Sequence, residues 1–303
     1  MSESNFHVWK NKNLRVAWTR EGERNSSGIS IVLIHGFGAC KEHWRNNQVC
    51  FGAIAPCYAI DLIGFGESSQ PKSALKNDKK KEDDFIYCFE NWSRQIVDFC
   101  NEVIKTPVLL IGNSIGGVIA LRTSQLLKQQ CKGVILIDCA QRTMDDKRLR
   151  DQPIGMRLTR PLLKSLVSQR VFSKIIFSII AKEYFIEKVL EIAYPSGNNL
   201  NQDLIDILYK PTIRAAAPEA FRGFINLFND YLAPELMENL QVPVDLIWGE
   251  LDPWEPLEEA KRWYSSIACI RSLEIISKSG HCPHDENPEV VNPLIIKIIQ
   301  QAT

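Results

Sequence analysis

Leu109-Leu110-Ile111-Gly112-Asn113-Ser114-Ile115-Gly116-Gly117 joins an apolar, strand-like run to a Gly-x-Ser-x-Gly turn, and Val118-Ile119-Ala120-Leu121 then opens a helical pattern. A serine on a sharp strand-to-helix turn is a nucleophile elbow. Small residues are required at 112 and 116, because a side chain on either flank would strike the adjoining strand or helix. The following helix aims unpaired backbone N–H groups at the same spot, which favours developing negative charge such as an acyl-transfer oxyanion. A lone Gly-x-Ser-x-Gly equally fits a Gly-rich connector, so the reading depends on what the rest of the chain supplies.

Working outward, Ile31-Val32-Leu33-Ile34 is a continuous apolar run of the kind buried on both faces of a parallel sheet, and it ends in His35-Gly36-Phe37-Gly38. Residues 6–10 and 14–19 alternate as a hairpin leading into the domain. Tyr58-Ala59-Ile60 reads as a strand ending in the glycine-punctuated turn 61–69. Residues 89–104 have helical periodicity, and 133–138 form the strand after the elbow. From about 141 to 241 this alternation stops. Helical stretches rich in Leu, Ile and Phe take over at 158–167, 171–181, 203–209 and 220–228, with Pro161, Pro195-Ser196-Gly197 and Pro211 as breaks. Alternation resumes with a strand at 244–248, a helix near 257–264, a strand at 272–277 and a closing helix at 288–300. The pattern predicts an α/β fold: a doubly wound, mostly parallel sheet built from residues 1–140 and 242–303, with a helical cap, residues 141–241, inserted after the sixth strand.

At 303 residues the chain can bury a substantial core. Lysine plus arginine equals aspartate plus glutamate at 36 each, so no global field points to nucleic acid. The dense mixed-charge run 76–84 reads as a solvated loop. Nine cysteines is an odd number and none forms a Cys-x-x-Cys pair, which argues against a disulfide framework or zinc ribbon and for a reducing compartment. The first residues show no secretory signal, and no apolar run approaches a membrane span.

Ser114 needs a base and a carboxylate to orient it. Five histidines are present. His7 precedes the sheet and reads as a surface residue, and His43 lies in a polar helix start. His35 braces the loop after its strand. His284, in Cys282-Pro283-His284-Asp285-Glu286, reads as solvent-facing, and a metal reading with Cys282 lacks further ligands. His281 follows the final strand, at the end of the sheet where sites of open α/β folds collect, and is the expected base. Asp252, just after the strand 244–248, is the expected acid, with Asp138 as its rival at the end of another strand. Asp252 gives the order Ser, Asp, His that the elbow calls for. The expected oxyanion donors are the backbone amides of Phe37 and Ile115. No cofactor or metal is expected.

Taken together, the stretches 31–38, 61–69, 112–117, 248–252 and Gly280-His281 resemble the α/β-hydrolase superfamily over nearly the whole chain. More narrowly, Asp61-Leu-Ile-Gly-Phe-Gly-Glu-Ser, Gly112-Asn-Ser-Ile-Gly-Gly, Trp248-Gly-Glu-Leu-Asp-Pro-Trp-Glu-Pro and Gly280-His-Cys-Pro-His-Asp-Glu resemble the chlorophyll dephytylase and pheophytinase branch. That resemblance implies a serine esterase acting on a hydrophobic ester such as the phytyl ester of a chlorophyll-type pigment. Plant members carry a plastid-targeting extension, whereas strand-like residues begin here close to Met1. The implied form is therefore cyanobacterial, located in the cytoplasm, with thylakoid contact through the cap. A carboxylesterase, a thioesterase and a carbon–carbon bond hydrolase share the same triad, and a non-catalytic binding module is the reading from another class. Position 114 is a serine rather than a carboxylate, which disfavours the alkyl-enzyme route of dehalogenases and epoxide hydrolases. The cap carries more large apolar residues than packing on a sheet requires, among them Leu158, Leu162, Leu163, Val171, Phe172, Ile175 and Phe177. Some are expected to line a pocket for a long chain or to rest on lipid.

Overall fold

The computed structural model describes residues 3–23, 28–76, 78–79, 83–141, 145–152 and 154–302. Eight strands form one sheet: β1 (Asn5–Trp9), β2 (Leu14–Glu21), β3 (Ser30–Ile34), β4 (Cys57–Ile60), β5 (Val108–Asn113), β6 (Cys131–Ile137), β7 (Val244–Gly249) and β8 (Ile270–Ile276). Their order is β1-β2-β4-β3-β5-β6-β7-β8. The first two pairings, β1 with β2 and β2 with β4, are antiparallel, and the rest are parallel.

The central strands are apolar on both faces because helices cover both. On β3, Val32 and Ile34 enter one core, and Ile31 and Leu33 enter the other. The first core is completed by α2 (Phe89–Phe99), α3 (Ile115–Leu127) and α10 (Leu257–Ser266), through side chains such as Trp92, Val118 and Trp263. The second is completed by α1 (Gln48–Gly52) and α12 (Pro288–Ala302), through Phe51, Val291 and Ile295. A left-handed residue, Lys105, closes the turn that extends α2.

Between β6 and β7 the chain forms α4 (Ile154–Ser168), α5 (Arg170–Ile180), α6 (Glu183–Ala193), α7 (Gln202–Tyr209), α8 (Ala217–Gly223) and α9 (Ala233–Met237), with no strand among the described residues. Two features depart from expectation. Pro161 lies inside α4 instead of breaking it; the position is exposed, so water can take the carbonyl that proline leaves without a donor. The helix α6 also joins the insert. Its Tyr194 end packs in a separate small core with Leu190, Leu204 and Ile205.

His7 belongs to β1 itself, half-buried and paired with Val16, with Nε2 3.0 Å from Glu102 Oε2. It lies in the edge strand, not ahead of the sheet. Of the charged run 76–84, residues 77 and 80–82 lie outside the described residues, as does the side chain of Leu163. The described part is not simply solvated: Lys76 Nζ donates to Asn229 O, and Asp78 pairs with Arg222 of α8. None of the described helices is long and apolar enough to cross a membrane.

Candidate active site

Ser114 sits between β5 and α3 at φ 55°, ψ −122°, a backbone conformation that costs a non-glycine residue about 1–3 kcal/mol and persists only where its surroundings enforce it. The surroundings do so. Ser114 N donates to Ile137 O, and Gly117 N and Ala140 N both donate to Ser114 O. A Cβ on Gly112 would stand 2.2 Å from Gly116 O, and one on Gly116 would stand 2.3 Å from Ile34 O. Both glycines of the motif are therefore held by backbone contact, as the sequence implied.

His281 follows β8, and its Nδ1 donates to Asp252 Oδ2 at 2.8 Å. Asp252 Oδ1 accepts from the amides of Trp254 and Glu255, which fixes the carboxylate in the turn after β7. The Trp254 ring and the imidazole pack edge to face, with centroids 4.9 Å apart. Ser114 and His281 line the same cavity. They make no hydrogen bond to each other, a gap that unliganded sites commonly close when substrate arrives.

Asp138, at φ 41°, is fully buried at the end of β6. One ligand-capable atom from each of Asp138, Asp252 and His281 lies within 4.8 Å of the others. Asp138 Oδ1 accepts from Gly249 N. Its Oδ2 meets no N–H or hydroxyl group, but the carboxyl lies within hydrogen-bonding reach of Asp252. Burial, reinforced by the Asp252 charge and hydrogen bond, pushes the Asp138 pKa well up. Burial would also raise Asp252, but its bond and charge contact with His281 and the hydrogen bond from Asp138 outweigh that and hold it below the ordinary carboxylate value. The two shifts run in opposite directions, so of the neighbouring carboxyls Asp138 holds a proton more readily and Asp252 gives one up more readily. Rivals for the role of acid on sequence grounds, the two carboxyls both lie beside the same imidazole.

The loop 35–38 lies against the elbow. A Cβ on Gly36 would be 3.2 Å from both Ser114 Cβ and Asn113 Oδ1. His35 accepts from Leu62 N through Nε2 and donates from Nδ1 to Gly36 O, and burial lowers its pKa to about 3, so it stays neutral and braces the loop. Phe37 and Ile115 both line the cavity, and Ile115 opens α3, where an amide has no intrahelical acceptor.

Three positions that sequence reading did not mark also build the site. Asn113 Nδ2 donates to Ile137 O and to His281 O, tying the elbow to the histidine loop. Glu286 Oε2 accepts from Gly280 N, while its Oε1 accepts from Ser196 N and Oγ. Tyr194 OH donates to Asp285 Oδ2 and meets His43 Nε2 at 2.8 Å. His284 is fully buried between Trp44 and His43, with ring centroids at 4.4 and 5.0 Å, and burial lowers its pKa well below the usual imidazole value. The solvent-facing reading of His284 is therefore wrong: α11 (Pro283–Glu286) is a buried polar turn that Arg45, Tyr194 and Ser196 neutralise or bond.

Above Ser114 opens a cavity of about 920 Å³. Its walls are mostly apolar, with Phe177 and Ile180 of α5, Phe185 and Val189 of α6, and Phe221 and Phe224 of and beside α8. That volume is at the upper end of the 300–1,000 Å³ usual for small-molecule sites.

An eight-stranded, mostly parallel sheet with a serine elbow and a cavity at the carboxyl ends of its strands defines a hydrolase-type α/β protein. The family model described as the alpha/beta hydrolase family matches residues 31–294, and the chain belongs to that family. Pheophytinase of the Arabidopsis thaliana chloroplast is 26% identical over 95% of this chain; the chain spans 64% of that protein's length. The (lyso)-N-acylphosphatidylethanolamine lipase of Homo sapiens is 24% identical, covering 88% of this chain and 78% of the lipase. Among solved structures, a serine hydrolase involved in carbazole degradation superposes with a TM-score of 0.75 at 18% identity, covering 99% of this chain and all of the other.

Proposed function

We propose that this hydrolase cleaves a carboxylic ester of a hydrophobic substrate through an acyl-enzyme, with residues 141–241 acting as a cap over the site. Ser114 is the nucleophile, His281 the base and Asp252 the acid that orients it. His281 takes the Ser114 proton as Oγ attacks the ester carbonyl, and the oxyanion rests on the Phe37 and Ile115 amides. The alkoxide leaves with the proton from His281. Water then loses a proton to His281 and attacks the acyl carbonyl, and His281 returns that proton to Ser114 Oγ as its bond to the acyl carbon breaks and the acid leaves.

The observation that carries this reading is the Asp252–His281 pair facing a strained serine on the floor of a large apolar cavity. The finer reading, a phytyl ester of chlorophyll or pheophytin as substrate, is supported by the likeness to pheophytinase and by the cavity's apolar walls. A location on the cytoplasmic side of a pigment-bearing membrane belongs to the same reading. The test compares turnover of chlorophyll a, pheophytin a and a short-chain nitrophenyl ester by wild type and Ser114→Ala. Loss of the nucleophile should cut turnover on the order of 10⁶-fold. Residual activity near a tenth of wild type would remove Ser114 from the mechanism, and a nitrophenyl rate far above both pigment rates would leave a general esterase.

A further inference from the structure

The helices α4 and α5 are apolar on the side that faces away from the cavity. On α4, Ile154, Leu158 and Leu162 recur at four-residue spacing and are 73%, 76% and 65% exposed. On α5, which packs against α4, Val171, Ile175 and Ile179 repeat that spacing and are all exposed, as is Phe172. The opposite face of α5 gives Phe177 and Ile180 to the cavity. A helix that is hydrophobic all round is ordinarily buried or in contact with lipid, and an exposed patch of contiguous apolar side chains marks an interaction surface.

Charge indicates what covers it. The chain as a whole is neutral, yet residues 154–182 contain six lysines and arginines and no acidic residue. Arg160 and Lys164 pair with Asp146, and Arg170 pairs with Glu219. Arg157, Lys174 and Lys182 are exposed and have no ion-pair partner among the described residues. Unpaired cations beside an apolar helix face are the composition of an interfacial helix on an anionic bilayer.

We propose that α4 and α5 form a docking face for an anionic lipid bilayer, seating the cap so that a lipophilic ester passes from the membrane into the cavity beneath α5. The proposal rests on the cavity being the substrate site, but the docking itself does not require Ser114 chemistry. The test is co-sedimentation of the full chain with phosphatidylcholine vesicles, with and without about one-third phosphatidylglycerol, at low and high salt.

Wild type should bind the anionic vesicles, less so as salt rises, and should bind neutral vesicles weakly. Each unpaired cation should contribute about fivefold, so the combined Arg157→Gln, Lys174→Gln and Lys182→Gln variant should bind roughly a hundredfold more weakly. Leu158→Ser with Ile175→Ser should lose about tenfold or more. Both variants should melt as wild type does and hydrolyse a short soluble ester at the wild-type rate, which separates lost docking from lost folding. Wild type left in the supernatant with anionic vesicles would overturn the proposal. So would a dimer, seen by sedimentation velocity, that Leu158→Ser with Ile175→Ser dissolves, because a second copy would then be the cover. Fluorophosphonate labelling without vesicles reads the serine separately. A labelled protein that ignores vesicles refutes the docking alone, and an unlabelled protein that binds them upholds the docking and refutes the hydrolase reading.

Discussion

Asp138 and Asp252 occupy one corner beside His281, and their pKa values are pushed in opposite directions. Asp252 accepts from two amides and from His281, with the Asp138 carboxyl beside it. Asn at 138 can still accept from Gly249 N and donate to Asp252, so Asp138→Asn should retain most activity, whereas Asp138→Ala should lose more because it strands the Gly249 amide and one Asp252 lone pair. Asp252→Asn should cost roughly 10⁴ in turnover, since an amide favours the wrong imidazole tautomer. The reverse ranking of Asp138→Asn and Asp252→Asn in steady-state kinetics would move the acid to the end of β6. Stability carries an independent sign. The folded-state pKa of Asp138 is raised by burial and by Asp252, so its contribution is full below the ordinary aspartate value near 4 and declines as pH rises from there towards the folded-state pKa. Asp138→Asn has no proton to lose at that position. Urea melts should therefore show the variant gaining on wild type steadily as pH rises from about 4; a difference flat with pH would mean that Asp138 is ionised in the folded protein.

At the scale of elements, the insert is fastened to the histidine loop by backbone as well as side chains. His281 N donates to Ala193 O at the end of α6, and a Cβ on Gly280 would stand 2.2 Å from that same oxygen. Glu286 spans the junction, bonding Gly280 on one side and Ser196 on the other. Glu286→Ala should strand the buried Gly280 amide at about 1–3 kcal/mol and release the exposed Ser196 to water, lowering the melting temperature and lowering kcat on long and short esters alike, because it displaces His281 and leaves the cavity wall intact. A drop confined to long esters would place Glu286 in chain recognition instead. This junction was not legible in the sequence, and the reason is physical. Gly112-Asn113-Ser114-Ile115-Gly116 announces itself because strand, turn and helix are contiguous and glycine is forced at fixed offsets. Asp252 and His281 were legible because each follows a strand run at the carboxyl edge. The bonds from Glu286 to Ser196, from Tyr194 to Asp285 and from Asn113 to His281 O span 90, 91 and 168 residues, and no periodicity encodes them. His284-Asp285-Glu286 read as a wet loop because a polar run ordinarily is one; here Arg45, Tyr194 and Ser196 supply partners from distant segments. Pro161 misled for the opposite reason, since a strong local breaker is tolerated where its stranded carbonyl meets water.

For the whole molecule, the cavity lies between the carboxyl ends of the strands and the insert, so on the proposed function the chemistry and the choice of substrate belong to different parts of the chain. The core supplies Ser114, Asp252 and His281, while α5, α6 and α8 supply most of the apolar wall. Enclosing a twenty-carbon alcohol at ~0.8 kcal/mol per methylene offers on the order of 10 kcal/mol of gross transfer energy, far more than any single polar contact in the site. Specificity on this scheme is a function of chain length, and a polar group in the wall should cut into it selectively. Ile180→Asn puts an unpaired amide against the tail, and Phe177→Ser removes a ring that packs on Phe221 at 5.8 Å. Each should impair a phytyl or other long-chain ester at least tenfold, which is roughly 1.4 kcal/mol or more of lost transition-state binding, and leave a short nitrophenyl ester within about twofold. The same exchanges on the outer face of α5, such as Ile175→Ser, should spare a long-chain ester offered in detergent micelles lacking anionic lipid, because that face does not touch the cavity. The measurement is kcat/KM across a series of esters differing only in alcohol length. A uniform loss along the series would make these residues structural packing, and a slope that Ile180→Asn leaves unchanged would mean that the long chain does not lie along α5.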